Sequence, residues 1–182
     1  MFIQTEETPN PLTMKFIPEK KIMDNGFIEF KNKEEAENNI LAKNLFLIDG
    51  VNAVSFATDF VSITKAENFD WILIKADILC ALVDYFSANN QLIDEVSDGN
   101  QINDDDDEIV KQIKILINER IRPGVAQDGG DVVFSSFKEG VLELELRGAC
   151  SGCPSASVTL KMGIENMMRH YIPEVLEVRE AS

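Results

Sequence analysis

Residues Val141 to Ile164 read VLELELRGACSGCPSASVTLKMGI, and this stretch decides how the C-terminal part of the chain folds. Its leading leucines alternate with charged side chains, as in a β-strand that buries one face and exposes the other. Beyond the two cysteines, Pro154 suits the first turn of a helix, and apolar residues then recur at helical spacing. The stretch predicts a strand over Val141–Leu146, a loop over Gly148–Cys153, and a helix from Pro154 to about His170.

The segments around this stretch complete a small domain. Before it, Val132–Phe137 predicts a strand that pairs with the first one through a turn at Lys138–Gly140. Further upstream, apolar residues at helical spacing predict an amphipathic helix that Pro123 ends. The apolar stripe of this helix is Ile109, Ile113, Leu116, Ile117 and Ile121. After the second helix, Val175–Val178 predicts a short strand, so the order is helix, strand, strand, helix, strand.

The N-terminal part of the chain predicts a second small α+β domain. Its β-rich segments are interrupted by two helices, one over Lys33–Phe46 and one over about Trp71–Ser87. Cys80 lies off the apolar stripe of the second helix and has no cysteine or histidine near it in sequence, so we interpret it as an incidental thiol. The predicted strands are Phe2–Thr5, Met14–Ile17, Phe27–Phe30, Val51–Ala57 and Phe60–Thr64.

Acidic residues concentrate between the two domains. Residues 1–95 carry 16 acids and 8 bases, residues 109–182 carry 10 acids and 9 bases, and Val96–Glu108 carries 6 acids and no base. A polar segment with so little apolar surface cannot bury enough to fold by itself. We therefore predict an α+β protein of two small domains, 1–95 and 109–182, joined by an acidic linker at 96–108.

The composition excludes several classes of function. The chain has 182 residues and a formal net charge of −15, which disfavours binding to nucleic acid or to an anionic membrane through a basic surface. It has no run of about 18 apolar residues that would span a membrane. The N-terminal Met1–Glu7 resembles neither a secretory signal nor a transit peptide. Three cysteines without an export signal predict a reducing compartment. We expect the bacterial cytoplasm, with the mitochondrial matrix, for a mature form, as the alternative.

The chemistry of the sequence concentrates at Cys150 and Cys153. Two cysteines three positions apart around a turn can direct both sulfur atoms to one point, and this spacing serves a metal centre, a reversible disulfide or a zinc knuckle equally well. The loop leads into a helix, whose positive end favours thiolate over thiol. From Leu146 to Ile164 there are two bases, Arg147 and Lys161, and no acid. This setting suits an anionic iron–sulfur cluster better than a structural zinc site.

The ligand count of this domain is short. Zinc and [4Fe-4S] centres usually need four protein ligands. The domain offers two cysteines and His170, which is about five helical turns away. A twofold axis removes the shortage, because two copies of the loop that face each other supply four thiolates. A cluster held in this way can be released when the thiolates of an acceptor replace its ligands one at a time.

The residues around the cysteines resemble a known family. The run Gly148–Ser155, its continuation Thr159–Ile164, and the upstream Arg122-Pro123 and Asp128–Val132 closely resemble the C-terminal domain of NifU, as found in the Nfu-type iron–sulfur carriers. The first domain resembles the N-terminal domain of the same Nfu proteins through Gln4–Pro11, Lys15-Phe16, Leu45-Phe46, Gly50-Val51 and Asp59-Phe60. The resemblance covers nearly the whole chain apart from the acidic segment.

The resemblance implies a role without catalytic turnover, so we do not expect an enzyme. It implies that Cys150 and Cys153 ligate a [4Fe-4S] cluster shared by the two subunits of a homodimer. It further implies that the cluster is assembled there or accepted from an upstream scaffold, and is passed to apo iron–sulfur proteins. Two alternatives stay open: a thiol–disulfide oxidoreductase that uses the same two cysteines, and a zinc-stabilised interaction module.

Overall fold

The computed structural model describes residues 1–88, 93, 99–151 and 154–181, and gives only the backbone for residues 154–156. The chain divides into two compact units, Met1–Val96 and Ser97–Ser182, each with its own hydrophobic core. Both units combine helices with strands, which confirms the predicted α+β class. Among the described residues, we find no helix long and apolar enough to cross a bilayer.

The first unit is built on an antiparallel five-stranded sheet. Its strands are β1 (Ile3–Glu7), β2 (Thr13–Pro18), β3 (Ile28–Phe30), β4 (Val51–Phe56) and β5 (Val61–Lys65), and their spatial order is β1-β2-β5-β4-β3. The second helix of this unit, α2 (Trp71–Ser87), begins where the Asp70 carboxylate accepts a 3.3 Å hydrogen bond from the Ile72 N–H. The residues that α2 buries in the core are Ile74, Ile78, Leu82 and Phe86, which recur at helical spacing.

The first helix is shorter than predicted. Residues 33–38 form turns, and α1 covers only Ile40–Leu45. Asn39 explains where the helix begins, because its side-chain oxygen accepts a 2.8 Å hydrogen bond from the Ala42 N–H. The side chain of Asn32 holds the preceding turn in the same manner through the Glu35 N–H at 2.9 Å. Asparagine side chains that bind nearby backbone groups thus compete with the helix over this segment.

The second unit places a three-stranded sheet and its helices around one core. Strands β6 (Gly130–Lys138) and β7 (Val141–Gly148) form an antiparallel hairpin, and β8 (Glu177–Glu180) pairs with β7 in parallel. Between β7 and β8 lies the long helix that the sequence predicts; it covers Pro154–Tyr171 and is α5 below. The predicted order of helix, strand, strand, helix, strand is confirmed.

The helical region before the sheet does not end at Pro123 as predicted. Helix α3 (Glu108–Leu116) continues through a π-helical turn at Ile117–Ile121 into α4 (Arg122–Gln127), so Pro123 lies in the first turn of α4. Inside a continuous α-helix, a proline lacks a needed N–H and its ring clashes with the carbonyl group four residues earlier. The wider turn restarts the helix, and Pro123 then occupies a position where no N–H is required.

Part of the predicted acidic linker is held against the second unit. The buried side chain of Asn100 donates to the Val132 carbonyl oxygen at 2.8 Å and accepts from the Phe134 N–H at 2.7 Å. Lys114, also buried, forms a 2.7 Å ion pair with the Asp106 carboxylate. This part of the segment therefore has partners in the second unit that its own composition does not reveal.

Candidate functional site

Cys150, the first of the two predicted ligands, lies in the loop between β7 and α5. The loop begins at Gly148, whose φ of 64° lies in the left-handed region that favours glycine. The Ala149 N–H donates to the Gly129 carbonyl oxygen at 3.2 Å, and the Ser151 hydroxyl donates to the Gly148 carbonyl oxygen at 2.9 Å. The loop therefore rests on the turn that precedes β6.

The Cys150 side chain packs against a glycine of the hairpin. Gly130 is the first residue of β6 and pairs with Gly148 at the end of β7. A Cβ atom at Gly130 would overlap with the Cys150 Sγ atom and would lie 2.8 Å from the Arg147 carbonyl oxygen. The absence of a side chain at Gly130 thus makes room for the thiol.

Cys150 is buried rather than presented to solvent. Only 6% of the residue is exposed, and it belongs to the core of the second unit. Burial, followed by the negative charges of Asp128 and Asp131, raises the pKa of the Cys150 thiol from 9.0 to about 12. The expectation that the start of the next helix favours a thiolate here is therefore wrong for this conformation, in which the thiol is neutral at pH 7.

The predicted acid-free setting of the loop is also wrong, because the fold brings carboxylates from β6 and from the turn before it. Asp131 lies opposite Arg147 on the hairpin, and its charge raises the pKa of Cys150 together with that of Asp128. Arg147 itself donates to the Glu145 carboxylate at 3.1 and 3.0 Å. The positive charge of the loop region is thus balanced by acids that lie outside the stretch from Leu146 to Ile164.

Arg122 and Asp131 form an ion pair that sequence reasoning did not assign to the site. The Arg122 guanidinium donates to both carboxylate oxygens of Asp131, at 2.7 and 2.9 Å. This bidentate pair connects the start of α4 to the start of β6, next to the glycine that receives Cys150. The signal that could have found it is the presence of both residues in the stretches that resemble the family.

His170 is far from the loop along α5, whereas Cys153 lies outside the described residues. Cys80 is exposed on α2 of the first unit. His170 lies about 24 Å along the helix axis from Pro154 and packs edge to face against Tyr171, with ring centroids 4.9 Å apart. Within the part of the chain that the structure describes, no group of three or more His, Cys, Asp or Glu could hold a metal ion.

Comparison with known proteins identifies the family. The model of the scaffold protein Nfu/NifU N-terminal domain matches residues 3–89, and the model of the NifU-like domain matches residues 113–179. The chain is 44% identical over 182 residues to the Homo sapiens protein named NFU1 iron-sulfur cluster scaffold homolog, mitochondrial, a match that covers 99% of this chain and 72% of the human one. This chain belongs to the Nfu family.

Two further matches cover different shares of this Nfu protein. NifU-like protein 4, mitochondrial, from Arabidopsis thaliana is 44% identical over 186 residues, which covers 99% of this chain and 66% of the plant protein. The solution NMR structure of a NifU-like protein from Saccharomyces cerevisiae matches with a TM-score of 0.45 and 28% identity, over 53% of this chain and 84% of that one. The sequence matches confirm the resemblance in both parts of the chain.

The names of the relatives bear on two expectations for this Nfu protein. They describe scaffolds and not enzymes, which confirms the expected non-catalytic role. Several are named mitochondrial, which is consistent with the alternative location and does not confirm the bacterial cytoplasm that we expected first.

In the closed loop, Cys150 does not have the environment of the attacking cysteine in a thiol–disulfide oxidoreductase. The attacking cysteine of such an enzyme is accessible and has a lowered pKa. In this Nfu protein Cys150 is buried, and its pKa is raised to about 12. It is therefore poorly suited to attack a disulfide from this conformation.

Proposed function

We propose that this Nfu protein is a carrier or scaffold that assembles or accepts a [4Fe-4S] cluster as cargo and transfers it to apo-proteins. Cys150 and Cys153 supply two thiolates, and the same loop of a second subunit supplies the other two. Support comes from relatives named as iron-sulfur cluster scaffolds and from the preference of iron–sulfur clusters for cysteine thiolates.

The observation that carries the proposal is the position of Cys150 at the junction of β7 and α5 without a full set of ligands from its own domain. The second domain has two cysteines and one histidine, and the histidine is at the opposite end of α5. A centre that needs four protein ligands therefore needs a second copy of the loop. A twofold arrangement supplies that copy without any further residue.

Loading requires Cys150 to leave its buried place beside Gly130. A metal-bound cysteine must lose its proton, and the buried thiol resists this because its pKa is raised to about 12. Opening of the loop breaks the 3.2 Å hydrogen bond from the Ala149 N–H to the Gly129 carbonyl oxygen. We expect an open loop in the loaded protein and the described closed loop in the empty one.

Release of the cluster occurs by ligand exchange and is coupled to the change from the open loop to the closed loop. A thiolate of the recipient forms an Fe–S bond as the Cys150–Fe bond breaks, and Cys150 leaves as a thiolate that takes a proton from water. When the loop closes, burial favours the protonated thiol. The return of Cys150 to the core therefore favours departure of the cargo, as a carrier requires.

We assign the cargo site to domain 109–182 and a part in the choice of recipients to domain 1–95. The net charge of −15 favours partners with basic surfaces through electrostatic steering. For the location we propose a reducing compartment. The mitochondrial names of the relatives favour the matrix over the bacterial cytoplasm. Fractionation of the source cells with an antibody against the chain distinguishes the two.

Anaerobic reconstitution with iron and sulfide tests the proposed cargo. We expect a brown dimer with about four irons per two chains, a count that follows from one [4Fe-4S] cluster on four thiolates, and a Mössbauer spectrum of that cluster type. Cys150→Ala and Cys153→Ala remain colourless, whereas Cys80→Ala loads as the wild type does. A colourless wild-type protein under every loading condition, or one tightly bound zinc per chain, contradicts the proposal.

A further inference from the structure

Helix α5 carries two large apolar side chains on its outer surface, just after the proposed cargo loop. Val158 and Met162 are 57% and 62% exposed. They are four residues apart and so lie on the same face, one turn above the other. Ile164 and Met168 already provide the buried side of this helix, so the core of the unit does not account for the exposed pair.

Gly163 lies beside this pair, and the space around it within the unit would accommodate a side chain. Gly163 is inside α5, where glycine is less favourable than alanine. A Cβ atom built at Gly163 meets no described heavy atom within 4 Å. A mid-helix glycine of this kind is explained when another backbone approaches the helix closely from outside the unit.

The exposed residues around the glycine are themselves uncharged, and the acid beside them is paired. We define the α5 face as the exposed residues Val158, Thr159, Met162, Gly163 and Asn166. Lys161 lines a cleft with Ile164 and Val178 on the side toward β8. Glu165 forms a 3.3 Å ion pair with Arg169 and accepts a hydrogen bond from the Val178 N–H. In a chain with a net charge of −15, two copies can approach most easily through a surface of uncharged residues whose neighbouring acid is paired with an arginine.

We propose that the α5 face packs against the α5 face of a second copy of this chain when the cluster is bound. This inference rests on the proposed function, because it is the shared cluster that brings two loops to one axis. Val158 and Met162 lie about 6 and 12 Å along the helix from Pro154, so they are the first large apolar side chains that a twin helix meets. The close approach at Gly163 allows the two helices to bury them.

A charge placed on the α5 face tests the contact. Met162→Glu puts two like charges in the interface, and we expect the dissociation constant of the loaded dimer to rise at least about tenfold, as measured by anaerobic analytical ultracentrifugation. The matched control is Ile115→Glu on α3, which adds the same charge at an apolar position that is 41% exposed. It should leave the loaded dimer unchanged. Far-UV circular dichroism of the empty proteins is the test that both variants fold.

Replacement of Gly163 should stabilise the empty protein and weaken the loaded dimer. A glycine with only a structural role in its own unit would not give this combination. Gly163→Ala raises the thermal midpoint of the empty protein, because alanine favours the helix, but it raises the dissociation constant of the loaded dimer. The control is Gly124→Ala in α4, where an added Cβ atom also meets nothing within 4 Å. It should raise the thermal midpoint and leave the loaded dimer unchanged.

The outcomes separate this inference from the proposed function. If the wild type forms no iron–sulfur chromophore, both the proposed function and this inference are wrong. If the wild type forms a loaded dimer and both α5 variants keep it as stable as the controls do, the inference alone fails. If, in that case, the variants slow cluster transfer, the α5 face binds a recipient instead of a second copy.

Discussion

At the residue scale, the site depends on the fit between Cys150 and Gly130. The missing side chain of the glycine leaves space for the sulfur atom, and burial then keeps the thiol protonated. The cysteine pair is visible in the sequence, but the protonation state of Cys150 is not. It depends on carboxylates and apolar groups that reach it only through the fold.

Alkylation of the empty protein measures this burial directly. With iodoacetamide near pH 8 we expect Cys80, which is exposed, to react at least about a hundredfold faster than Cys150. A pKa near 12 leaves few thiolates at Cys150, and the rate there should still rise with pH well above 9. Peptide mass spectrometry resolves the sites, and the same chain in concentrated urea is the control. Equal rates at Cys150 in folded and unfolded chains would contradict the closed loop.

At the element scale, the ends of helices are decided by single side chains. The apolar period predicted α2 correctly over Trp71–Ser87, because seventeen residues of periodic pattern and an Asp70 cap agree. It failed at α1 and at Pro123, where a competing asparagine and a π-helical turn moved the boundaries. Apolar periodicity indicates the buried face, but it does not show where the backbone bonding starts or restarts.

The Asn39 cap is testable through the stability of the first unit. Asn39→Ala removes the hydrogen bond to the Ala42 N–H and should lower the free energy of unfolding by about 1 kcal/mol. Trp71, the single tryptophan of the chain, reports unfolding of this unit by fluorescence in urea. Asn38→Ala is the matched control, since this exposed neighbour precedes the cap. Equal losses in the two variants would show that the cap does not stabilise α1.

At the scale of the whole molecule, the acidic segment shows how a sequence with few apolar residues can still be ordered. Asn100 covers the outer edge of β6, a strand that has β7 on its other side. Lys114 of α3 forms a second contact with this segment, an ion pair with Asp106. Asn100 is 32 and 34 residues away in sequence from its two partners in β6, so the composition of the segment, which predicted a linker, does not reveal these contacts.

Replacement of Asn100 tests this attachment. Asn100→Ala leaves the Val132 carbonyl and the Phe134 N–H without their partner, and we expect a loss of about 2 kcal/mol in the second unit. Hydrogen exchange of the β6 amides should accelerate accordingly, because exchange follows local opening. Asn103→Ala, at an exposed position in the same segment, is the control. Unchanged protection of β6 in Asn100→Ala would mean that the segment does not stabilise the sheet.

The sequence by itself determined the α+β class, the strand–loop–helix arrangement around the cysteines, and the family. These follow from apolar period, turn residues and local motifs, which are properties of neighbouring positions. The tertiary structure alone decided that Cys150 is buried and neutral, that Asp128 and Asp131 act on it, and that the face with Met162 and Gly163 is exposed. Burial and electrostatic interactions depend on distances in space, and the fold sets those distances between residues that are far apart along the chain.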